Sequence, residues 1–156
     1  MQKRKAPAEC QILSKTKDKP MNTSFPRDQI LLASRILLAL LFVLMGWSKL
    51  TGFEGTVSYM ASTGAPVPTV SAIIAIITEL GIGLALVAGF LTKPLSILLA
   101  VYTIVTAFIG HHYWTFDGMV RYDMWIHFYK NFSIAGGLLA LAASGAGRFS
   151  VDALRR

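Results

Sequence analysis

Residues 29–50 read QILLASRILLALLFVLMGWSKL, and the fold class turns on this stretch. A helix at the surface of a soluble protein carries an apolar stripe at the 3.6-residue period and a polar face opposite it, whereas here apolar side chains occupy nearly every side. About 20 residues at a rise of ~1.5 Å each cross the ~30 Å of bilayer hydrocarbon, which is the length of this run. Three further runs match it, at 69–91, 94–115 and 125–144, and SILLAVYTIVTAFIG in the third is again apolar all round. The sequence therefore predicts an all-α membrane protein, a four-transmembrane-helix antiparallel bundle. Composition agrees: of 156 residues 54% are hydrophobic and 15% charged, against roughly 25% charged in a soluble domain, with a mean hydropathy of +0.55. An ordinary water-soluble globule is excluded.

The net charge of +7 is informative only by position. Seven of the fifteen basic residues lie in residues 1–28, which hold no apolar run that could serve as a signal-peptide core and read as a disordered basic tail. Met21 offers a second start beside Met1. Lys93 lies in the short second connection, and Arg148, Arg155 and Arg156 follow the fourth span, whereas the first and third connections hold only Lys49 and Arg121. Eleven basic residues against two place both termini and Lys93 in the cytoplasm by the positive-inside rule. Trp47, Tyr113, Trp114 and Trp125 then fall near the outer ends of their spans, where amphipathic rings favour the headgroup level. The expected organisation is a cytoplasmic tail over 1–28, a membrane domain over 29–146 and a short cytoplasmic tail over 147–156. The first outer connection, TGFEGTVSYMASTGAPVPT, has Phe53, Val57 and Met60 at helical spacing before a Gly-Ala-Pro-Val-Pro breaker, so a short interfacial helix is predicted there.

Charges inside spans are the strongest functional pointers, because each costs at least ~2.5 kcal/mol at the bilayer centre unless paired or hydrated. There are three: Arg35, Glu79 and Lys130. Arg35 is close enough to the inner edge to snorkel or to take a structural partner. Glu79 lies near the midplane and must pair, face a cavity or carry a proton. Lys130 and Asn131 share a stripe with His127, and His111, His112 and Lys49 sit at the outer ends of neighbouring spans. One outer-half polar pocket built from Glu79, His111, His112, Lys130, Asn131, His127 and Lys49 is expected, with a Glu79–Lys130 ion pair that serves as a structural bridge, a proton relay or a ligand site. Arg35, Lys93 and Arg148 are expected to set structure and topology. Gly136, Ala140 and Ser144 on the fourth span, and Ala85 and Gly89 on the second, allow close helix approach, within one unit or across a homo-oligomer seam.

Other chemistries find little support. Adjacent His111 and His112 point about 100° apart on a helix and are poorly placed to share a metal or haem. The single cysteine, Cys10, precludes an intramolecular disulfide or a CxxC pair. Nucleotide, hydrolase and zinc-protease motifs do not occur. The divided basic charge does not form a nucleic-acid groove.

The run SRILLALLFVLMGWSKLTGF, the glutamate of the second span followed by LVAGFLTKPLSILL, and the closing SGAGRFSVD resemble the DoxX family of small bacterial inner-membrane proteins. Arg35, Gly46, Lys49, Gly89, Gly145, Gly147, Arg148 and Asp152 match the family's pattern, and IGHHYW with YKNFSIAGGLL is similar to one of its subgroups. The chain reads Gly-Ala-Gly-Arg where many relatives have Gly-Pro-Gly. The resemblance implies four membrane helices, a bacterial inner-membrane location and an association with quinone-linked oxidoreductases and oxidative-stress complexes. It implies an accessory subunit with membrane oxidoreductase subunits as partners, and no catalysis is carried over from it; a quinone headgroup is the expected ligand of the outer-half pocket, which offers hydrogen-bond donors for its carbonyls beside apolar surface for its tail. The rival expectations are a protein that binds or transports a small solute or lipid, and a structural assembly partner.

Overall fold

The computed structural model describes residues 24–155, which are helical and contain no strand. Helix α1 spans Ser24–Thr51 and α2 spans Phe53–Ser62. Helix α3 runs over Pro68–Ala88, α4 is Thr92–Gly110, α5 is Gly118–Ser144 and α6 is the single turn Val151–Leu154. Three segments, Arg27–Thr51, Pro68–Ala88 and Thr92–Thr115, are long and apolar enough to cross a membrane.

The expected tail over 1–28 lies outside the described residues as far as position 23. Its last five residues are instead the start of α1. The fourth expected segment, 125–144, is helical but begins at Gly118, so Arg121, Asp123 and the flanking aromatics occupy its first two turns. Helix α2 forms where Phe53, Val57 and Met60 predicted it and ends before Gly64, whose φ of 74° breaks the helix. Pro68 opens α3 with its missing N–H in a position that needs no donor.

Helix α5 packs chiefly along α4, and α1 packs against α3. Small residues set the second contact: a Cβ on Gly46 would lie 2.6 Å from the Leu80 nitrogen, and one on Gly83 would lie 3.0 Å from Val43 Cγ2. Backbones that approach this closely gain dispersion contacts, which drive helix association where lipid removes the hydrophobic driving force. Ala39, Phe42, Leu86, Leu99, Ala100, Ala135 and Leu138 form the core between the helices. Leu37, Ile77, Val101 and many other aliphatic side chains point outward, as a chain solvated by lipid requires.

The close register of α1 and α3 has a vertical consequence. Gly46 faces Leu80 and Gly83 faces Val43, so α1 ends at Thr51 well below the start of α3 at Pro68. Lys49 is thereby brought down beside Glu79.

The end of the bundle opposite α2 is closed by the C-terminal segment. Arg35, only 1% exposed, donates from Nη1 to the Ala146 carbonyl at 2.6 Å and from Nη2 to the Phe149 carbonyl at 2.5 Å. It is a buried clamp and does not snorkel to the headgroups. Gly89 lies against it: its φ of 72° is left-handed, and a Cβ there would sit 2.7 Å from Arg35 Nη1 and 2.5 Å from Ser150 Cβ. The Asp152 carboxylate accepts from the backbone N–H groups of Leu91 and Thr92, both at 2.8 Å, and so caps α4. Leu91 itself is held at φ 45°, a strained conformation for a non-glycine residue. Burial alone would raise the Asp152 carboxyl, but the Thr92 and Leu91 hydrogen bonds and the charge of Arg155 outweigh it and hold the group below the ordinary carboxylate range.

Candidate functional site

Helix α3 is not regular. Ile77–Ile82 (ITELGI) takes the wider π-helical winding between two α-helical halves. Such a segment turns less per residue than an α-helix, shifting the faces beyond it, and recurs at functional sites. Here it contains Glu79, the one acidic residue buried inside the bundle among the described residues.

Glu79 is held from two other helices. Lys49 Nζ on α1 donates to Oε2 at 2.7 Å, and the Tyr102 hydroxyl on α4 donates to Oε1 at 2.7 Å. Each carboxylate oxygen thus receives one donor, and the side chain remains only 9% exposed. Lys49 is different: its side chain is 22% exposed. An ammonium has three N–H donors, of which Glu79 takes one. Helix α2 closes over this level, with Thr56 Oγ1 donating to the Lys49 carbonyl at 3.4 Å and Tyr59 Oη donating to the Gly110 carbonyl at 3.4 Å.

The expected Glu79–Lys130 pair does not form. Lys130 is exposed on α5, and its Nζ lies 2.8 Å from His127 Nδ1. His127 in turn stacks on His111 with ring centroids 5.2 Å apart. The physical reason is register: α1 delivers Lys49 to the carboxylate first, while Lys130 lies on the outward side of α5.

The single expected pocket is therefore two groups. Lys49, Glu79 and Tyr102 form one. His111, His127 and Lys130 form the other, at the end of α4 and roughly 13 Å along it from Tyr102 at a helical rise of ~1.5 Å per residue. His112 joins neither group: its Nδ1 donates to the Ile109 carbonyl at 2.9 Å and its ring lies near Phe116. Both histidines fall past the helical end at Gly110, so the expectation that they sit on adjacent helical positions is corrected. Asn131 is half-buried and hydrogen-bonded to neither group. Tyr102 is the member that sequence reasoning misses. Its signal is a phenol in the middle of an otherwise aliphatic span, where a hydroxyl needs a partner.

Two open grooves lie elsewhere. One of about 400 Å³, beside the C-terminal segment, is bounded by Thr92, Lys93, Gly145, Asp152 and Arg155. The other, of about 610 Å³ at the opposite end, is bounded by Tyr113, Arg121, Tyr122 and Trp125. The stripe of Gly136, Ala140 and Ser144 faces outward, and a Cβ on Gly136 would meet nothing within 4 Å. It is Ala135, Gly137 and Leu138 that pack inward.

The model of the DoxX family matches residues 30–112, which include Arg35, Lys49, Glu79 and Tyr102. The chain is similar to the inner membrane protein YphA of Escherichia coli, with 48% identity over 81% of this chain and 90% of that protein. It is also similar to the inner membrane protein YqjF of the same organism, with 40% identity over 81% of this chain and 92% of the relative. No solved structure matches it with significance.

Proposed function

The chain belongs to the DoxX family of integral inner-membrane proteins, and on that premise we propose that it is an accessory subunit of a membrane redox system whose Lys49–Glu79–Tyr102 centre binds the polar head of a quinone. The supporting observation is Lys49, fixed by Glu79 yet 22% exposed. A quinone carbonyl needs a hydrogen-bond donor beside an apolar surface for the ring and tail. The ammonium has donors to spare, and the surrounding faces of α1 and α3 are aliphatic. Glu79 serves to position that ammonium and to stabilise its charge where an unpaired lysine would be costly. Tyr102 holds the second carboxylate oxygen in place.

In this proposal α5 is the fourth span. Its 27 residues extend about 40 Å, enough to cross the bilayer with the Arg121 turn outside. Both termini are then cytoplasmic and α2 lies in the outer interface, as the distribution of basic residues favours.

The test is extraction of the protein purified in mild detergent, followed by chromatography for lipid-soluble quinones. The wild type is expected to carry quinone in a near-stoichiometric amount, and Glu79→Gln to retain much less. A wild type free of quinone, when prepared from membranes that contain it, would sink the proposal.

A second reading has its own support. The π-helical winding around Glu79 interrupts α3, as such segments do at functional sites, and this suits a carboxylate that moves a proton during transport of a small solute. Proton flux into vesicles that is unchanged in Glu79→Gln would count against it.

A further inference from the structure

We propose that the groove at the inner end, between the start of α4 and the C-terminal segment, binds the phosphate of an anionic membrane lipid, with Lys93 and Arg155 as its cations.

The groove has a volume of about 400 Å³, within the range of small-ligand sites. Three of its bounding residues are charged: Lys93, Asp152 and Arg155. Asp152 is already committed. Its two oxygens accept the Leu91 and Thr92 N–H groups, so its charge faces the positive end of α4. Neither Lys93 nor Arg155 has a salt-bridge partner among the described residues. Two cations thus border one groove with a single carboxylate, whose oxygens accept from backbone N–H groups and which feels the Arg155 charge without forming a salt bridge to it.

Both cations are pre-placed. The Lys93 stem lies over Gly145, with Cε 3.5 Å from the position a Cβ on that glycine would take. The Arg155 guanidinium lies over the Phe90 ring, 5.0 Å from its centroid, a stacking arrangement worth a modest attraction at an exposed site. Gly145 leaves the floor of the groove open. Lys93 is the second residue of α4, so the groove sits where a membrane-crossing helix meets the headgroups. A phosphate carried by a lipid reaches this depth without leaving the bilayer, and anionic lipid is drawn to basic clusters at this level. The outer groove has only Arg121 as a cation and offers no comparable charge.

This inference is independent of the quinone proposal. It is tested on the full chain in mild detergent by native mass spectrometry, with phosphatidylglycerol and phosphatidylcholine as competing probes. The wild type is expected to retain one phosphatidylglycerol in preference to phosphatidylcholine. Each alanine of the pair Lys93→Ala and Arg155→Ala should weaken that binding about fivefold, and the double variant Lys93→Arg/Arg155→Lys should keep most of it. Both side chains are exposed, so without lipid Lys93→Ala should melt like the wild type and Arg155→Ala should lose only its screened surface attraction for Asp152 and its stacking on Phe90. Equal retention of the two lipids, or undiminished phosphatidylglycerol binding in the double alanine variant, would overturn the inference. So would displacement of the lipid by inorganic phosphate at the same concentration, which would mark a site for free phosphate instead.

Discussion

The carboxylate of Glu79 accepts one hydrogen bond on each oxygen, from Lys49 and from Tyr102. Removing the phenol oxygen isolates the second bond. Tyr102→Phe should leave the ion pair in place and lower stability by about 1.5–3 kcal/mol, the range for a hydrogen bond to a charged group. Thermal unfolding in detergent measures it, and a variant that melts with the wild type would mean that the phenol contributes nothing. The sequence identified Glu79 and Lys49 as members of the site, because charge in an apolar span has to be explained by a partner. It misassigned the partner of Glu79, since depth counted along separate spans does not show how far one helix slides past another. Arg35 posed the same difficulty. Its partners are carbonyls of a returning C-terminal segment, and helical periodicity says nothing about where such a segment goes.

Among the helices, the glycine-mediated contact of α1 with α3 sets the height of Lys49. Gly46 is the closest point, where a Cβ would come within 2.6 Å of the Leu80 nitrogen. Gly46→Ala should push the helices apart and cost about 1–3 kcal/mol, as overpacking does. Gly136→Ala on α5, where nothing lies within 4 Å, should be neutral or slightly stabilising through helix propensity. The comparison of their melting temperatures checks the assignment of the two faces; equal losses would contradict it. The sequence pattern located the second span but gave no sign of the π-helical segment around its glutamate. A helix read at a uniform 100° per residue cannot register the smaller rotation per residue over Ile77–Ile82.

For the molecule as a whole, the runs of apolar residues announced membrane helices plainly, because length and lack of charge are properties of single segments. Closure of the bundle by the C-terminal segment was less legible, since it depends on residues far apart in sequence: Arg35 with Ala146 and Phe149, and Asp152 with the start of α4. This closure carries a pH dependence. The Asp152 carboxyl lies below its ordinary value in the fold, so its contribution is complete above the unfolded-state value of about 4 and is lost as pH falls through the lower folded-state value. The melting temperature of the wild type should therefore fall between pH 5 and pH 3 by more than that of Asp152→Asn. Parallel curves would show that the cap does not contribute.

If Lys49 and Glu79 form a ligand site and are more than a brace between α1 and α3, stability and ligand binding can be separated. The decisive comparison is of melting temperature and bound quinone in Lys49→Met, Glu79→Met and the double variant. Either single change strands a partly buried charge and should cost about 3 kcal/mol, while the double change removes both charges and should restore most of the stability. The restored double variant is expected to carry no quinone. A double variant that is stable and retains quinone at the wild-type level would contradict the assignment of this pair as a ligand site.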